Sequence, residues 1–448
     1  MTQYWCEQAW LGGLEGGAAD GVLITVDGDT IGSVEQGVAS PPERATRLDG
    51  VTLPGLANAH SHAFHRALRG RTHGGGGTFW TWRDQMYRLA GSLDPDSYEE
   101  LATATFAEMV LAGYTVVGEF HYLHHAPGGA PYADPNEMGH RMLRAAERAG
   151  IRITLLNTCY LHGGIGQPLN EVQRRFSDGT AEAWLARIAS LAHGPTSRMG
   201  AAIHSVRAVD PFSLTVVEWS AGAVGAVLHA HVSEQPRENE ACLEAYGGTP
   251  VEVLARRGVL DDRFTAVHAT HVTSSDIRLL ADSGSSCCVC PTTERELADG
   301  IGPMAALRDA GVALCIGSDS HAVIDPFEET RAVELDERLA SLRRGTHSPA
   351  ALLTAATSNG YTSLGWKGGS IAPGMLADFV TVGFDSPRLA GADRNDVAAA
   401  VVFGATGADV RDVVVGGEHI VRDGTHRSID VVRSLDTSVR AAWAAVMG

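Results

Sequence analysis

Short apolar runs recur along the chain. Each ends in polar or ionisable residues, and each is followed by a stretch with helical spacing. The runs are Leu53–His62, Thr115–Tyr122, Ile151–Asn157, Gly200–His204, Gly225–His231, Phe264–His268, Ser285–Cys290 and Val312–Asp319. Helices are predicted between them over Ser97–Leu111, Met138–Ala149, Ala181–Ala192, Leu214–Ser220, Glu238–Tyr246, Pro250–Arg257, Ser274–Asp282 and Met304–Ala310, then over 328–343 and 349–358. Ser97 with Glu100 has capping-box spacing, and glycines follow several of the helical stretches. Apolar strands alternating with helices predict a parallel sheet. Eight such units predict closure into a (β/α)8 TIM-type barrel. A doubly wound open sheet is the competing architecture, but no glycine-rich phosphate turn follows the first strand. Gly74–Gly77 lies in a loop, lacks that spacing, and reads as a flexible segment with a lid role.

The flanks differ from this pattern. Val22–Val26 and Ile31–Val34 read as strands around an Asp27-Gly-Asp turn. Past residue 370, Gly374–Val382, Val410–Val415 and His419–Arg422 read as further strands, and Ser428–Val446 as a helix. The expected organisation is a barrel over 53–374 and a small β-sandwich domain built from both termini, residues 1–52 and 375–448.

In such a barrel the chemistry sits at the C-terminal ends of the strands. The first run ends in His60-Ser-His62, and a strand's two-residue repeat points both imidazoles to one face. The fifth ends in His231-Val-Ser-Glu234 and the eighth in Gly317-Ser-Asp319. His60, His62, His231 and Asp319 make a ligand set that suits one zinc ion per chain, with ferrous iron as the alternative. Such a metal acidifies water. Glu234 is then placed to take the proton and return it to a leaving nitrogen, and His268 to hydrogen-bond the developing tetrahedral centre. His229 shares a face with His231 but lies deeper, and is read as a core residue. His271 competes with His268 but is expected to face elsewhere.

The formal net charge of −18 argues against nucleic acid or an anionic membrane surface as partner. An acidic substrate would need local arginines to overcome that field. No apolar run approaches ~18 residues, so no membrane span is expected. The seven cysteines are scattered except for the Cys287-Cys288-Val289-Cys290 cluster, and the reading is of reduced thiols in a cytoplasmic protein. Lys367 is the only lysine, so no lysine-dependent step can arise before it.

The stretches PGLANAHSH, HVSE, VHAT and GSDSH resemble the amidohydrolase superfamily, in the branch that deaminates C=N substrates with one metal. Binuclear relatives commonly bridge two metals with a carbamylated lysine on strand four. No lysine is available there, which favours a mononuclear site. Phe79-Trp-Thr-Trp-Arg83, Glu119-Phe-His-Tyr122-Leu-His-His, His204-Ser-Val-Arg207 and His231-Val-Ser-Glu-Gln-Pro236 are similar to the N-formimino-L-glutamate deiminases of histidine degradation. That resemblance covers nearly the whole chain. It implies hydrolysis of a formimino group to a formyl group with release of ammonia, and a homodimer.

A substrate of that kind carries two carboxylates, and arginine holds a carboxylate through a bidentate fork. The resemblance assigns carboxylate binding to Arg83, in the long loop after the first strand, and to Arg207, with Tyr122 donating a further hydrogen bond. It places His204 by the metal pocket. The aromatic run 79–82 is read as packing that positions Arg83. The family pattern leads one to expect glutamine where this chain has His65. Either the imidazole takes over hydrogen bonding to the substrate, or the substrate preference has shifted. A deaminase of guanine or a related base is the second reading, or of another formimino or guanidino amino acid, and two arginines argue against the neutral base. A catalytically inactive scaffold of the same fold is the third, and the complete ligand set argues against it.

Overall fold

The computed structural model describes residues 1–14, 17–73, 77–191 and 193–447. Gly74–Gly76, and with them most of the glycine run read as a lid, lie outside these, as does Ala192 at the end of one expected helix.

Eight parallel strands form one sheet in sequence order: Leu56–Ser61, Tyr114–His121, Arg152–Cys159, Ser197–Ile203, Leu228–Val232, Phe264–His268, Ser286–Val289 and Ala313–Ile316. The last strand returns to the first through a parallel bridge between Ser61 and Asp319. Asp319 N–H donates to the His60 carbonyl at 3.0 Å, and His62 N–H donates to the Asp319 carbonyl at 3.2 Å. The sheet therefore closes into a barrel with helices between its strands, as the alternating pattern predicted. Every residue of the first three strands is buried, which is why those runs are apolar on both faces.

The second sheet is mixed and also has eight strands. Its order is Thr425–His426, Glu418–Arg422, Val410–Val415, Phe379–Val382, Thr46–Pro54, Thr2–Trp10, Ala18–Asp27 and Thr30–Glu35. Both ends of the chain contribute, joined where Phe379–Val382 pairs antiparallel with Thr46–Pro54. The strand Thr2–Trp10 was not evident in the sequence.

Three local features depart from the sequence reading. The apolar run 53–62 is two strands, because the chain passes from one sheet to the other at Gly55. A Cβ there would stand 2.3 Å from the Thr115 hydroxyl and 2.6 Å from the Tyr361 hydroxyl, so only glycine permits the crossing. His62 consequently lies just past the strand. Arg83 lies not in a loop but in a helix, Phe79–Ser92, which begins soon after the undescribed glycines. The next helix, Pro95–Leu111, is capped by Asp94 with Ser97 rather than by Ser97 with Glu100. Asp94 accepts from Ser97 N–H and the proline at the first helical position needs no acceptor.

Barrel and terminal sheet are joined by a buried ion pair. Arg152, at the start of the third barrel strand, donates to Asp378 at 2.8 Å, and both side chains are almost fully excluded from solvent. Asp378 also accepts from the Tyr361 hydroxyl at 2.8 Å and from Gly416 N–H at 2.6 Å. Removing one member strands a buried charge. Asp378→Ala is expected to destabilise the protein by roughly 3–5 kcal/mol in urea unfolding, whereas the double change Arg152→Met with Asp378→Leu recovers most of that loss.

Candidate metal centre and substrate cavity

Three imidazoles and one carboxylate converge at the top of the barrel. His231 Nε2 lies 3.1 Å from His60 Nε2 and 3.4 Å from His62 Nε2. Asp319 Oδ1 lies 3.4 Å from both His60 Nε2 and His62 Nε2. All four residues are buried. The sequence-derived ligand set is thus brought together from three strand ends.

The protons decide what this cluster is for. His62 Nδ1–H donates to the Phe120 carbonyl at 3.0 Å and His231 Nδ1–H to the His204 carbonyl at 2.8 Å. These bonds place the proton on Nδ1 and leave the inward Nε2 as a bare lone pair. Burial pushes the pKa of His60 down, and those of His62 and His231 well down. Burial alone would raise the Asp319 carboxyl, but His60, His268 and His62 beside it hold it well below the usual range. Lone pairs facing a carboxylate repel one another unless a cation sits between them. Tetrahedral ligands at about 2.0–2.1 Å from a metal stand about 3.3–3.4 Å apart, which is close to the spacing seen here. The residues present fit one divalent ion. His268, Cys290 and Asp319 also approach one another, but burial holds the Cys290 thiol protonated.

Side chains that the sequence reading passed over fix these ligands. Asn58 donates to Ser318 Oγ at 2.7 Å and accepts from Ser318 N–H at 2.9 Å, clamping the first strand to the eighth. Ser61 donates to Glu119 at 2.6 Å, and Glu119 accepts from Ala63 N–H at 2.8 Å. His321 lies 2.9 Å from Ser318 Oγ and 3.2 Å from Ser61 Oγ. Gly317 allows the approach, since a Cβ would sit 2.8 Å from His60 Cβ. The backbone here is held in unfavourable conformations: Ser233, His268, Ala269, Asp319 and His321 all have positive φ. Asn58 and Ser61 lie within the same motif as the histidines. Glu119 and His321 were visible only as polar residues at strand ends.

His268 faces the cluster. Its Nε2 is 3.8 Å from both Glu234 Oε1 and Asp319 Oδ2, and its Nδ1 is 3.4 Å from Glu294 Oε1. Burial lowers the affinity of the ring for a proton, but Glu234, Glu294 and Asp319 outweigh it and raise the pKa to about 10. His271 Nε2 lies 2.8 Å from the Asp299 carbonyl and His229 Nε2 2.8 Å from the Ser363 carbonyl.

A cavity of about 420 Å³ opens above the cluster. Its lining includes His62, His231 and Asp319 of the cluster, Glu234, and every residue expected to bind substrate: His65, Arg83, Tyr122, His204 and Arg207. Arg207 Nη2 is 3.4 Å from Glu234 and its Nε 3.5 Å from Glu238. Glu238 was missed in the sequence. It also accepts from Glu234 N–H at 3.1 Å, so it contacts both Glu234 and Arg207. Burial raises the Glu238 pKa, with Arg207 opposing that shift. Arg83 stacks on Trp80 at 4.4 Å and Tyr87 at 5.5 Å, and its buried Nε has no hydrogen-bond partner among the described residues. His65 Nε2 lies 2.9 Å from the Tyr122 hydroxyl. The two therefore form one polar unit on the wall beside His62.

The model of the amidohydrolase family matches residues 51–420. A formimidoylglutamate deiminase from Pseudomonas aeruginosa is 38% identical over 91% of each chain. A 5-methylthioadenosine/S-adenosylhomocysteine deaminase from Natronomonas pharaonis is 28% identical over 91% of this chain and 90% of its own. Among solved structures, an amidohydrolase from Brucella melitensis superposes with a TM-score of 0.91 at 34% identity, covering 99% of this chain and 100% of its own.

Metal analysis is expected to return one tightly bound divalent ion per chain, and more than one would contradict a single site. Free metal at about a hundred times its dissociation constant should add about 2.7 kcal/mol to stability, read as a rise in thermal midpoint over chelated protein. His60→Ala should abolish that rise.

Proposed function

The chain belongs to the amidohydrolase family, and on that premise we propose that it hydrolyses N-formimino-L-glutamate to N-formyl-L-glutamate and ammonia, a step of histidine breakdown. The observation that carries this reading is a buried His3Asp cluster at the floor of a cavity whose wall carries Arg83, an arginine with no carboxylate partner among the described residues. Neutral heteroaromatic bases have no use for such a guanidinium. The 38% relative is a formimidoylglutamate deiminase, whereas the purine-type deaminase stands at 28%.

His60, His62, His231 and Asp319 would hold the ion. Zinc suits three imidazoles and a carboxylate best, with ferrous iron as the alternative. When bound, such an ion supplies Lewis-acid activation of water near neutral pH. The rest is the work of side chains. Glu234 Oε1 takes a proton from the attacking water and passes it to the amidine nitrogen; it then takes the proton of the resulting hydroxyl and passes that to the same nitrogen, so that the carbonyl forms, the C–N bond breaks and ammonia leaves. His268 Nε2 donates toward the tetrahedral carbon's substituents, steadied from behind by Glu294. Arg207 holds a substrate carboxylate while Glu238 fixes its orientation, and Arg83 and Tyr122 take the remaining contacts. His204 closes the wall beside the ligands, with its ring 5.2 Å from that of His231. His65 acts through Tyr122, whose hydroxyl it fixes.

Among the described residues no helix is long and apolar enough to cross a membrane. All seven cysteines are free and buried, which supports a cytoplasmic setting. A homodimer remains part of the proposal on resemblance alone.

The test is ammonia release from N-formimino-L-glutamate and, in parallel, from guanine. Turnover of the first is expected, and turnover of guanine alone would overturn the reading. Glu234→Gln should lose roughly 10²–10⁴ in kcat while still binding metal. Arg207→Met should lose at least about 2 kcal/mol of transition-state binding in kcat/KM, and an unchanged value would remove Arg207 from the site.

A further inference from the structure

Arg237 is one arginine of the cavity that neither the family motifs nor the proposed mechanism uses. It is the second residue of the helix Pro236–Tyr246, three positions past Glu234, and it is exposed. It lines the same cavity as Arg83 and Arg207. Its guanidinium lies 5.2 Å from the centre of the Trp80 ring, the ring on which Arg83 stacks at 4.4 Å.

Two like charges on one indole repel each other, and the ring attracts each only weakly. The arrangement is stabilised when an anion lies between them. No carboxylate of the protein does so: among the described residues neither Arg83 nor Arg237 has an aspartate or glutamate within ion-pair distance. Arg207 is the contrast, with Glu234 and Glu238 both beside it. With two carboxylates already beside it, Arg207 can serve one carboxylate of a dianion, and the other needs a cation elsewhere. The chain as a whole carries −18 and repels an anion from afar. The screening length is about 8 Å at physiological salt, so charges at the cavity rim dominate the last stage of approach.

We propose that Arg237, together with Arg83 beside the same Trp80 ring, forms an outer carboxylate site that selects dianionic over monoanionic substrates and draws them into the cavity. Arg237 is the specificity-determining member, and the inference rests on the dicarboxylate reading given above. Its planar fork matters as well as its charge, because stacking on Trp80 fixes the fork's orientation.

The test compares wild type with Arg237→Gln and Arg237→Lys, using thermal unfolding to verify intact folding at this exposed position. With N-formimino-L-glutamate, Arg237→Gln is expected to lower kcat/KM about tenfold, the scale of a lost charged hydrogen bond, with the loss in KM rather than kcat. Its kcat/KM should also depend less steeply on salt than that of wild type. With N-formimino-L-glutamine, which lacks the side-chain carboxylate, the loss should be much smaller. Arg237→Lys should fall between the two. An equal loss on both substrates, or none, overturns the inference. If wild type fails to turn over N-formimino-L-glutamate at all, the proposed function falls. The outer site is then judged by calorimetry with glutarate: it stands if Arg237→Gln weakens binding about tenfold, and falls if both proteins bind alike or neither binds.

Discussion

Everything at the top of this barrel depends on where protons are absent. His62 and His231 commit their Nδ1 protons to the carbonyls of Phe120 and His204, so their Nε2 lone pairs turn inward, toward His60 and the Asp319 carboxylate. The cluster is buried, and the inward Nε2 atoms of His62 and His231 carry no proton. It is a site that a cation completes. The same contacts close the barrel, since Asp319 N–H and C=O bond to the His60 carbonyl and His62 N–H. Closing the sheet and assembling the ligands are one interaction, and neither can be varied without the other.

That coupling explains the surrounding sequence. Asn58, two residues before His60, and Ser61, between His60 and His62, anchor the strand: one clamps Ser318, the other Glu119. Positive φ angles collect at Ser233, His268, Asp319 and His321, where the chain turns sharply to aim a side chain. The strain is sustained by the hydrogen-bonded strand ends beneath it.

Charge is arranged in layers above the cluster. Deepest are the ligands with His268 and Glu234. Next comes Arg207, held between Glu234 and Glu238. Outermost is Trp80 with its two guanidiniums. An acidic protein that handles an acidic molecule needs such a gradient, because its long-range field acts against the encounter.

Much of this could be read from the chain before any coordinates. The eight apolar runs fixed the barrel, because a strand covered on both faces must be apolar throughout. Their terminal residues pointed to His60, His62, His231, Asp319, Glu234 and His268 as the candidate site, because this fold presents strand ends to one face. His229 and His271 each meet a backbone carbonyl instead. What the pattern could not carry was contact between residues far apart in sequence. Glu238 reads as an ordinary residue of a helical first turn until Arg207 arrives from the preceding strand end. Arg83 seemed to sit in a loop because a short aromatic segment after glycines has no apolar period of its own, and it is a helix by packing. Gly55 looked like part of one strand, and only the hydroxyls of Thr115 and Tyr361 pressing on it show why two sheets meet there. Local sequence determined which elements form and which atoms they offer. Tertiary structure decided which of those atoms meet, because proximity across the barrel depends on closure and packing rather than on spacing along the chain.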